Sequence, residues 1–160
     1  MKHEEHQQSG RNYVPLIVVI TLIGIASGIS SGGDVNMFML YGMIGFFLVF
    51  GGFKLIDLKG FADGYATYDL LAMRWRGYGY VYPFLEIALG FAMLAGLHPN
   101  WLLWTGAALM IFSGVGVLIA MRKQTDIQCA CLGTVLKVPL TSVSLIENFG
   151  MAGLAIALIL

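Results

Sequence analysis

Five apolar stretches, each about as long as a helix that crosses a bilayer, dominate this sequence. They run over residues 13–31, 36–57, 80–97, 101–121 and 141–160. A helix needs about 20 mostly apolar residues to cross the hydrocarbon core of a membrane. Charged residues make up only 11% of the chain and apolar residues 58%, which is far from the balance of a soluble domain. The pattern predicts an all-α, multi-pass membrane protein whose main partner is the lipid bilayer.

The first stretch has a second interpretation. A polar leader with Lys2 and Arg11 precedes it, and it ends in small residues, as a cleavable signal peptide does. We expect instead a retained transmembrane helix after a polar segment over residues 1–12. This additional helix and its short outer loop would occupy residues 13–35.

The basic residues predict the orientation of the chain. All nine Lys and Arg residues lie before the first stretch, between the second and third, or between the fourth and fifth. Cytoplasmic loops of membrane proteins are enriched in Lys and Arg. We therefore expect the N-terminus and both long loops on the cytoplasmic side of the inner (plasma) membrane, and the C-terminus outside. The net charge of zero, without a basic stripe, argues against a nucleic-acid partner.

The loop between the second and third stretches carries an amphipathic pattern. Aromatic and apolar side chains recur there at helical spacing, at Phe61, Tyr65, Tyr68, Ala72 and Trp75. This spacing predicts an interfacial helix over about residues 61–75. The tyrosines that follow, at positions 78, 80 and 82, predict an aromatic belt at the membrane surface, and Pro83 is expected in the first turn of the third span.

Four ionisable residues lie close to the predicted cytoplasmic boundary of the spans. Each has a structural interpretation: Lys54 pairs with Asp57 one turn later, and Glu86 lies near the positive end of a helix. Ser144 and Glu147 match a capping box. The functional interpretation is that these groups, predicted at one depth, line a single polar vestibule, since ionisable residues at membrane depth are costly.

Both cysteines of the chain, Cys129 and Cys131, lie in the predicted loop over residues 122–140, one residue apart. A disulfide between them requires the loop to curl, which Gly133 would help, and such a strained disulfide exchanges readily. Basic residues in the same loop favour the reactive thiolate; they are Arg122, Lys123 and Lys137. The pattern predicts a pair of catalytic thiols, and inert packing of two small apolar side chains is the structural alternative.

The same thiolates also suit a soft metal ion such as Cu(I), which accepts two sulfur ligands. His3 and His6 are predicted on the same side of the membrane and would complete a Cys2His2 set. Met37 and Met39, with Met43 and His98, form a possible entry region on the opposite side. This alternative predicts a membrane carrier for Cu(I) or another soft metal, served by a metal chaperone. Packing is the simpler explanation for the methionines.

Three stretches together resemble a known family: "FKLIDLKGFADGYATYD" (53–69), "YGYVYPFLEIALG" (78–90) and "CACLGTVLKVPLTSVSLIEN" (129–148). They are similar to DoxX-like membrane proteins, in particular to the MauE branch. The resemblance implies a four-helix transmembrane core over residues 36–160, with the first helix added in front. It also implies thiol redox work, as in disulfide maturation. The sequence contains no nicotinamide or nucleotide motif, so the electron partner is expected to be another protein, a small thiol or a membrane quinone.

The sequence therefore predicts a membrane thiol-redox protein in which Cys129 and Cys131 carry electrons. A polar cluster is expected to support them, made of Lys54, Asp57, Tyr82, Glu86 and Glu147. The soft-metal carrier remains one alternative, and a non-catalytic membrane subunit of a redox complex is another. Association into an oligomer is compatible with either role.

Overall fold

A computed structural model describes residues 2–97, 99–122, 128–129, 138–139 and 142–160, with side chains for 14–97, 99–122 and 145–160. Most of the described residues are helical, so the predicted all-α class is confirmed. In chain order, the elements are α1 (Lys2–Ser30), α2 (Val35–Ile56), α3 (Leu58–Tyr65), α4 (Leu70–Arg74), α5 (Arg76–Leu94), α6 (Asn100–Arg122), β1 (Gln128–Cys129), β2 (Val138–Pro139) and α7 (Ser142–Ile159).

A long helix lies at each of the five apolar stretches. Among the described residues, α2 and α6 are long and apolar enough to cross a membrane. Shorter apolar helical segments lie at Val14–Ser30 and Leu145–Ile159. Large side chains such as Ile17, Phe91 and Trp101 are more than half exposed, and an exposed apolar surface of this kind is what lipid covers.

The four helices α2, α5, α6 and α7 share one apolar core. The strongest pairings are α2 with α5 and α6 with α7, and α2 also contacts α7. Met43 and Phe47 of α2, Met93 of α5, Met110 of α6 and Ala155 of α7 are fully or almost fully buried in it. The first helix stands apart from this core, because α1 packs on α2 through a separate cluster around Leu16 and Phe50.

The start of α5 differs from the prediction. The helix begins at Arg76, so Pro83 lies inside it and not in its first turn, which corrects that expectation. The physical reason is the packing of the first turns of α5 on α3: a Cβ at Gly79 would lie 3.1 Å from the Cα of Ala62. This contact holds the chain helical upstream of the proline.

The predicted interfacial helix over residues 61–75 is two helices, α3 and α4, with a turn between them. Each begins at its own aspartate: Asp57 accepts a hydrogen bond from the Gly60 N–H, and Asp69 accepts bonds from the Leu71 and Ala72 N–H groups. An aspartate that caps a helix start favours a break in the preceding helix. The amphipathic stripe is nevertheless buried up to Ala72, whereas Trp75 after α4 is 61% exposed.

The segment between α6 and α7 contributes a short antiparallel pair of strands. Gln128 pairs with Pro139 and Cys129 with Val138. In the fold, β1 contacts α3, and β2 contacts α1. Both strands therefore lie at the end of the bundle where α2 and α6 end and α7 begins.

Candidate functional site: a buried ion pair in an aromatic pocket

A buried ion pair joins α2 to α5. The Lys54 Nζ atom lies 2.6 Å from both carboxylate oxygens of Glu86, and it donates a hydrogen bond to each. Lys54 is 6% exposed and Glu86 is fully buried. Two charges removed from water to this degree depend on each other, because neither has solvent to replace its partner.

Glycine brings the two helices close enough for this contact. Gly51 lies one turn before Lys54, and a Cβ there would lie 2.8 Å from Ile87 Cγ1 and 3.3 Å from the Pro83 carbonyl oxygen. With no side chain at Gly51, the backbones of α2 and α5 approach closely next to the ion pair. The short distance from Lys54 to Glu86 follows from this packing.

Aromatic rings from α3 and α5 surround the ammonium group. The Lys54 Nζ atom lies 4.9 Å from the ring centroid of Tyr82 and 5.6 Å from that of Phe61. Tyr65 packs against both rings, with centroid distances of 5.0 Å to Phe61 and 4.8 Å to Tyr82. A cation that faces ring surfaces in a dry site is attracted by the ring quadrupoles.

A small cavity lies beside the ion pair. Its volume is about 20 Å³, which is enough for a single water molecule. Its lining comes from α2, α3, α5, α6, α7 and the turn before α4; the polar lining residues are Lys54, Tyr65, Tyr68, Tyr82, Glu86, Ser113, Glu147 and Asn148.

Glu147 brings a second carboxyl group to the cavity from α7. Its Oε1 atom is buried and has no hydrogen-bond partner among the described residues. It lines the same cavity as the Lys54 ammonium. The predicted capping role is wrong, since α7 begins at Ser142 and Ser144 is therefore already inside the helix.

Of the predicted polar cluster, the structure brings Lys54, Tyr82, Glu86 and Glu147 together around this cavity. Asp57 is not part of the lining; it caps α3. The predicted pairing of Lys54 with Asp57 is thus replaced by the pairing with Glu86. The helix-terminus interpretation of Glu86 is also wrong, because Glu86 lies near the middle of α5.

Sequence reasoning did not select Tyr65, Asp69, Ser113 and Asn148 as site residues. Tyr65 belongs to the apolar side of the amphipathic stripe. That position predicts a buried side chain, and a buried phenol was the signal that could have identified it as a site residue. Ser113 and Asn148 are buried polar residues in apolar helices. The direction in which each one faces depends on the packing of the neighbouring helices, which the sequence does not show. Polar residues at membrane depth are a general sign of such sites.

Tyr65 at the end of α3 and Asp69 at the start of α4 form a second polar group. Burial raises the pKa of the Tyr65 phenol well above its ordinary value, and the charges of Tyr82 and Asp69 add to this effect. Burial also raises the pKa of the Asp69 carboxyl, although hydrogen bonds from the backbone of Ala72 and Leu71 oppose it. Within the described chain, neither the Tyr65 hydroxyl nor Asp69 Oδ2 has a hydrogen bond of normal geometry.

The predicted thiol and metal ligands lie mostly outside the described residues. Cys131 and His98 are in this group, as are the side chains of Cys129, His3 and His6. For Cys129 the structure shows the backbone, in β1 next to α3.

The methionines of the predicted metal entry region lie at the far end of the bundle. Met37 lines a surface groove of about 260 Å³ there, and Met39 is half-buried. Met43 is fully buried in the apolar core, as packing predicts. Among side chains that the structure describes, no three His, Cys, Asp or Glu residues come together as a metal site would require.

Comparison with known families identifies the family of the chain. The sequence profile described as methylamine utilisation protein MauE matches residues 33–160. The chain belongs to the MauE family. No curated protein and no solved structure matches the chain. The matched part of this MauE family member begins two residues before α2, so it contains the shared core and the ion pair and leaves α1 outside.

Family membership and the apolar helices α2 and α6 make this MauE family member a membrane protein. Its pocket combines one ammonium group, two carboxyl groups and phenol hydroxyls around space for one water molecule. Such a set can hold and move a proton, because each oxygen can accept or donate one within hydrogen-bond reach.

Proposed function

We propose that this MauE family member is an integral thiol-redox protein of the plasma membrane. In this proposal, α2, α5, α6 and α7 form a DoxX-like four-helix transmembrane bundle, with α1 as an added span. The basic residues support a cytoplasmic N-terminus and cysteine segment. The family description connects the chain to methylamine utilisation, so its partner would be a protein of that process that acquires or loses disulfides.

One observation carries the proposal: β1, which contains Cys129, lies against α3. The same helix contributes Phe61 and Tyr65 to the wall of the ion-pair pocket. The backbone of β1 and a buried group of ionisable side chains therefore contact the same helix. Thiol chemistry requires proton transfer, because the thiolate and not the thiol is the nucleophile.

The proposed reaction is a dithiol–disulfide exchange. One thiolate of the pair attacks a disulfide of the partner, and a mixed disulfide forms while one partner sulfur leaves as a thiolate. The second thiolate then attacks the mixed disulfide, which gives the Cys129–Cys131 disulfide and a reduced partner. Two electrons and two protons pass to the partner, and the reverse sequence oxidises it.

The test compares purified wild-type protein with a variant in which both Cys129 and Cys131 are replaced by serine. We expect exchange with a disulfide-bonded peptide to be lost in the double variant, whereas Met37→Leu, at the other end of the bundle, keeps it. Unchanged exchange in the double serine variant would contradict the proposal.

The same preparations separate the proposal from its alternatives. Stoichiometric copper that is lost in the double serine variant, without thiol exchange in the wild type, would favour the soft-metal carrier. A chain that neither exchanges thiols nor binds copper, and that co-purifies with an oxidoreductase, would be a structural subunit.

A further inference from the structure

Glu147 differs from Glu86 in how its charge is compensated. Glu86 has the Lys54 ammonium 2.6 Å from both of its oxygens. The Oε1 atom of Glu147 is also buried, but no described group forms a hydrogen bond with it. All three residues line the same cavity. If both carboxyl groups were ionised, the charged side chains of the described lining would sum to one negative charge.

The cavity has a hydroxyl without a partner as well. Tyr65 is only 2% exposed and lines the cavity, and its hydroxyl has no hydrogen bond of normal geometry in the described chain. A buried polar atom without a partner is uncommon in a folded protein and indicates an unseen water or a functional role. The cavity volume of about 20 Å³ matches one water molecule that would bridge such groups.

The groups that share the cavity with Glu147 come from every element around it. They are Lys54 from α2, Tyr65 from α3, Tyr82 and Glu86 from α5, and Asn148 from α7 itself, with Tyr68 from the turn before α4. From α6 the polar lining is Ser113, which does not ionise at ordinary pH. Lys54 is thus the one cation of the described lining, and it is paired with Glu86.

We propose that this cavity is a binding site for one proton, which Glu147 holds as a neutral carboxylic acid next to a water molecule that also bonds to the Tyr65 hydroxyl. A buried charge without a partner is so costly that the group is neutralised instead. A protonated carboxyl has one O–H donor and can still accept, and a tyrosine hydroxyl does both. One water between them would therefore satisfy both unpartnered atoms. The inference uses only residues of the pocket and does not depend on the proposed thiol exchange.

The bound proton determines the charge at the place where α7 packs on α2. Lys54 lies on α2 and Glu147 on α7, and these two helices are in contact. With the proton bound, the described charges of the lining sum to zero and the pair of Lys54 with Glu86 is complete. Once the proton leaves, a second carboxylate faces the pocket without a cation of its own. Proton release should therefore weaken the contact between α7 and α2.

Infrared spectra of the full-length protein in lipid nanodiscs test the proton directly, because a protonated carboxyl has a C=O stretching band that a carboxylate lacks. At a pH of about 7, an exposed glutamate with its ordinary pKa of about 4.3 is ionised and contributes no such band. We expect the wild type to show a protonated carboxyl band that Glu147→Gln lacks. Any band from Asp69, which is also fully buried, stays in both spectra, so their difference isolates Glu147.

Two further variants control this measurement. Asp63→Asn is the matched control, because Asp63 is a partly exposed carboxylate paired with Arg76 and is not part of the cavity lining. It should leave the band unchanged. Tyr65→Phe should keep the band and move its frequency, since the water next to the acid loses a hydrogen-bond partner. An unmoved band would overturn the role assigned to Tyr65, and equal spectra of the wild type and Glu147→Gln would overturn the proton site.

The pH dependence of unfolding is a second readout. The folded protein holds a proton that an unfolded glutamate has lost above a pH of about 4.3. The unfolding equilibrium constant of the wild type should therefore rise with pH by up to about tenfold per unit more than that of Glu147→Gln, until the folded protein also releases the proton. Other titrating groups are common to both proteins. Parallel pH profiles, or a Glu147→Gln chain that fails to fold although a neutral amide replaces a neutral acid, would contradict the proposal.

Discussion

Two ion pairs of this protein each join a basic side chain to a carboxylate, but one pair is buried and the other is exposed. Lys54 and Glu86 are buried between α2 and α5, with aromatic rings around the ammonium. Arg76 and Asp63 pair at the surface, where their side chains are 69% and 44% exposed. Bulk water can replace either member of the exposed pair, whereas Lys54 is only 6% exposed and Glu86 is fully buried. The fold therefore depends on the buried pair, and it does not depend on the exposed pair.

The largest effect should come from removing Lys54. Lys54→Met leaves the Glu86 carboxylate buried without its cation, and breaking such a pair costs about 3–5 kcal/mol of stability. The free energy of unfolding in mixed micelles measures this loss. The double variant Lys54→Met with Glu86→Leu should recover most of it, because apolar replacement of both partners is often neutral. A Lys54→Met variant as stable as the wild type would show that the buried ion pair does not stabilise the fold.

A smaller effect is expected from closing the gap between α2 and α5. In Gly51→Ala, the new Cβ meets Ile87 and the Pro83 carbonyl, so the helices must separate, at a cost of about 1–3 kcal/mol. The neighbouring Gly52→Ala is the control, since its Cβ would have nothing within 4 Å. Alanine is the better helix former there and should stabilise α2 by up to about 1 kcal/mol. Equal unfolding free energies for both variants would argue against the close approach.

The aromatic wall should contribute less again. Tyr82→Leu removes the ring 4.9 Å from Lys54 Nζ, and loss of a cation–π contact in a dry site costs about 2 kcal/mol or less. Tyr82→Phe keeps the ring, so the difference in unfolding free energy between the two variants measures the contribution of the ring surface. If they are equally stable, the ring does not stabilise the ammonium.

The smallest effect belongs to the exposed pair. Asp63→Asn should change the unfolding free energy by less than about 1 kcal/mol, and added salt should remove the difference. A loss comparable to that of Lys54→Met, unaffected by salt, would show that exposure does not decide the strength of these pairs.

The long helices could be predicted from the sequence, because a continuous apolar run of about 20 residues is typical of a helix that is buried in lipid or in a core. The partner of Lys54 could not, since sequence spacing shows only neighbours on one helix, such as Asp57 one turn away. Glu86 lies 32 positions from Lys54, and the contact depends on how α2 and α5 pack at Gly51. The break between α3 and α4 could have been predicted from Asp69, because aspartate favours the start of a helix. The apolar stripe continues past Asp69, however, and indicated one uninterrupted helix.

The central claim, that Cys129 and Cys131 exchange electrons with a disulfide partner, is tested most directly by trapping the mixed disulfide. When one cysteine of an exchanging pair is replaced by serine, the remaining thiolate attacks the partner and the second step cannot follow. In membranes that contain the partner, Cys131→Ser or Cys129→Ser should accumulate a covalent adduct that a reductant releases, and the double serine variant should show none. Absence of an adduct in both single variants, or the same adduct in the double variant, would contradict the account.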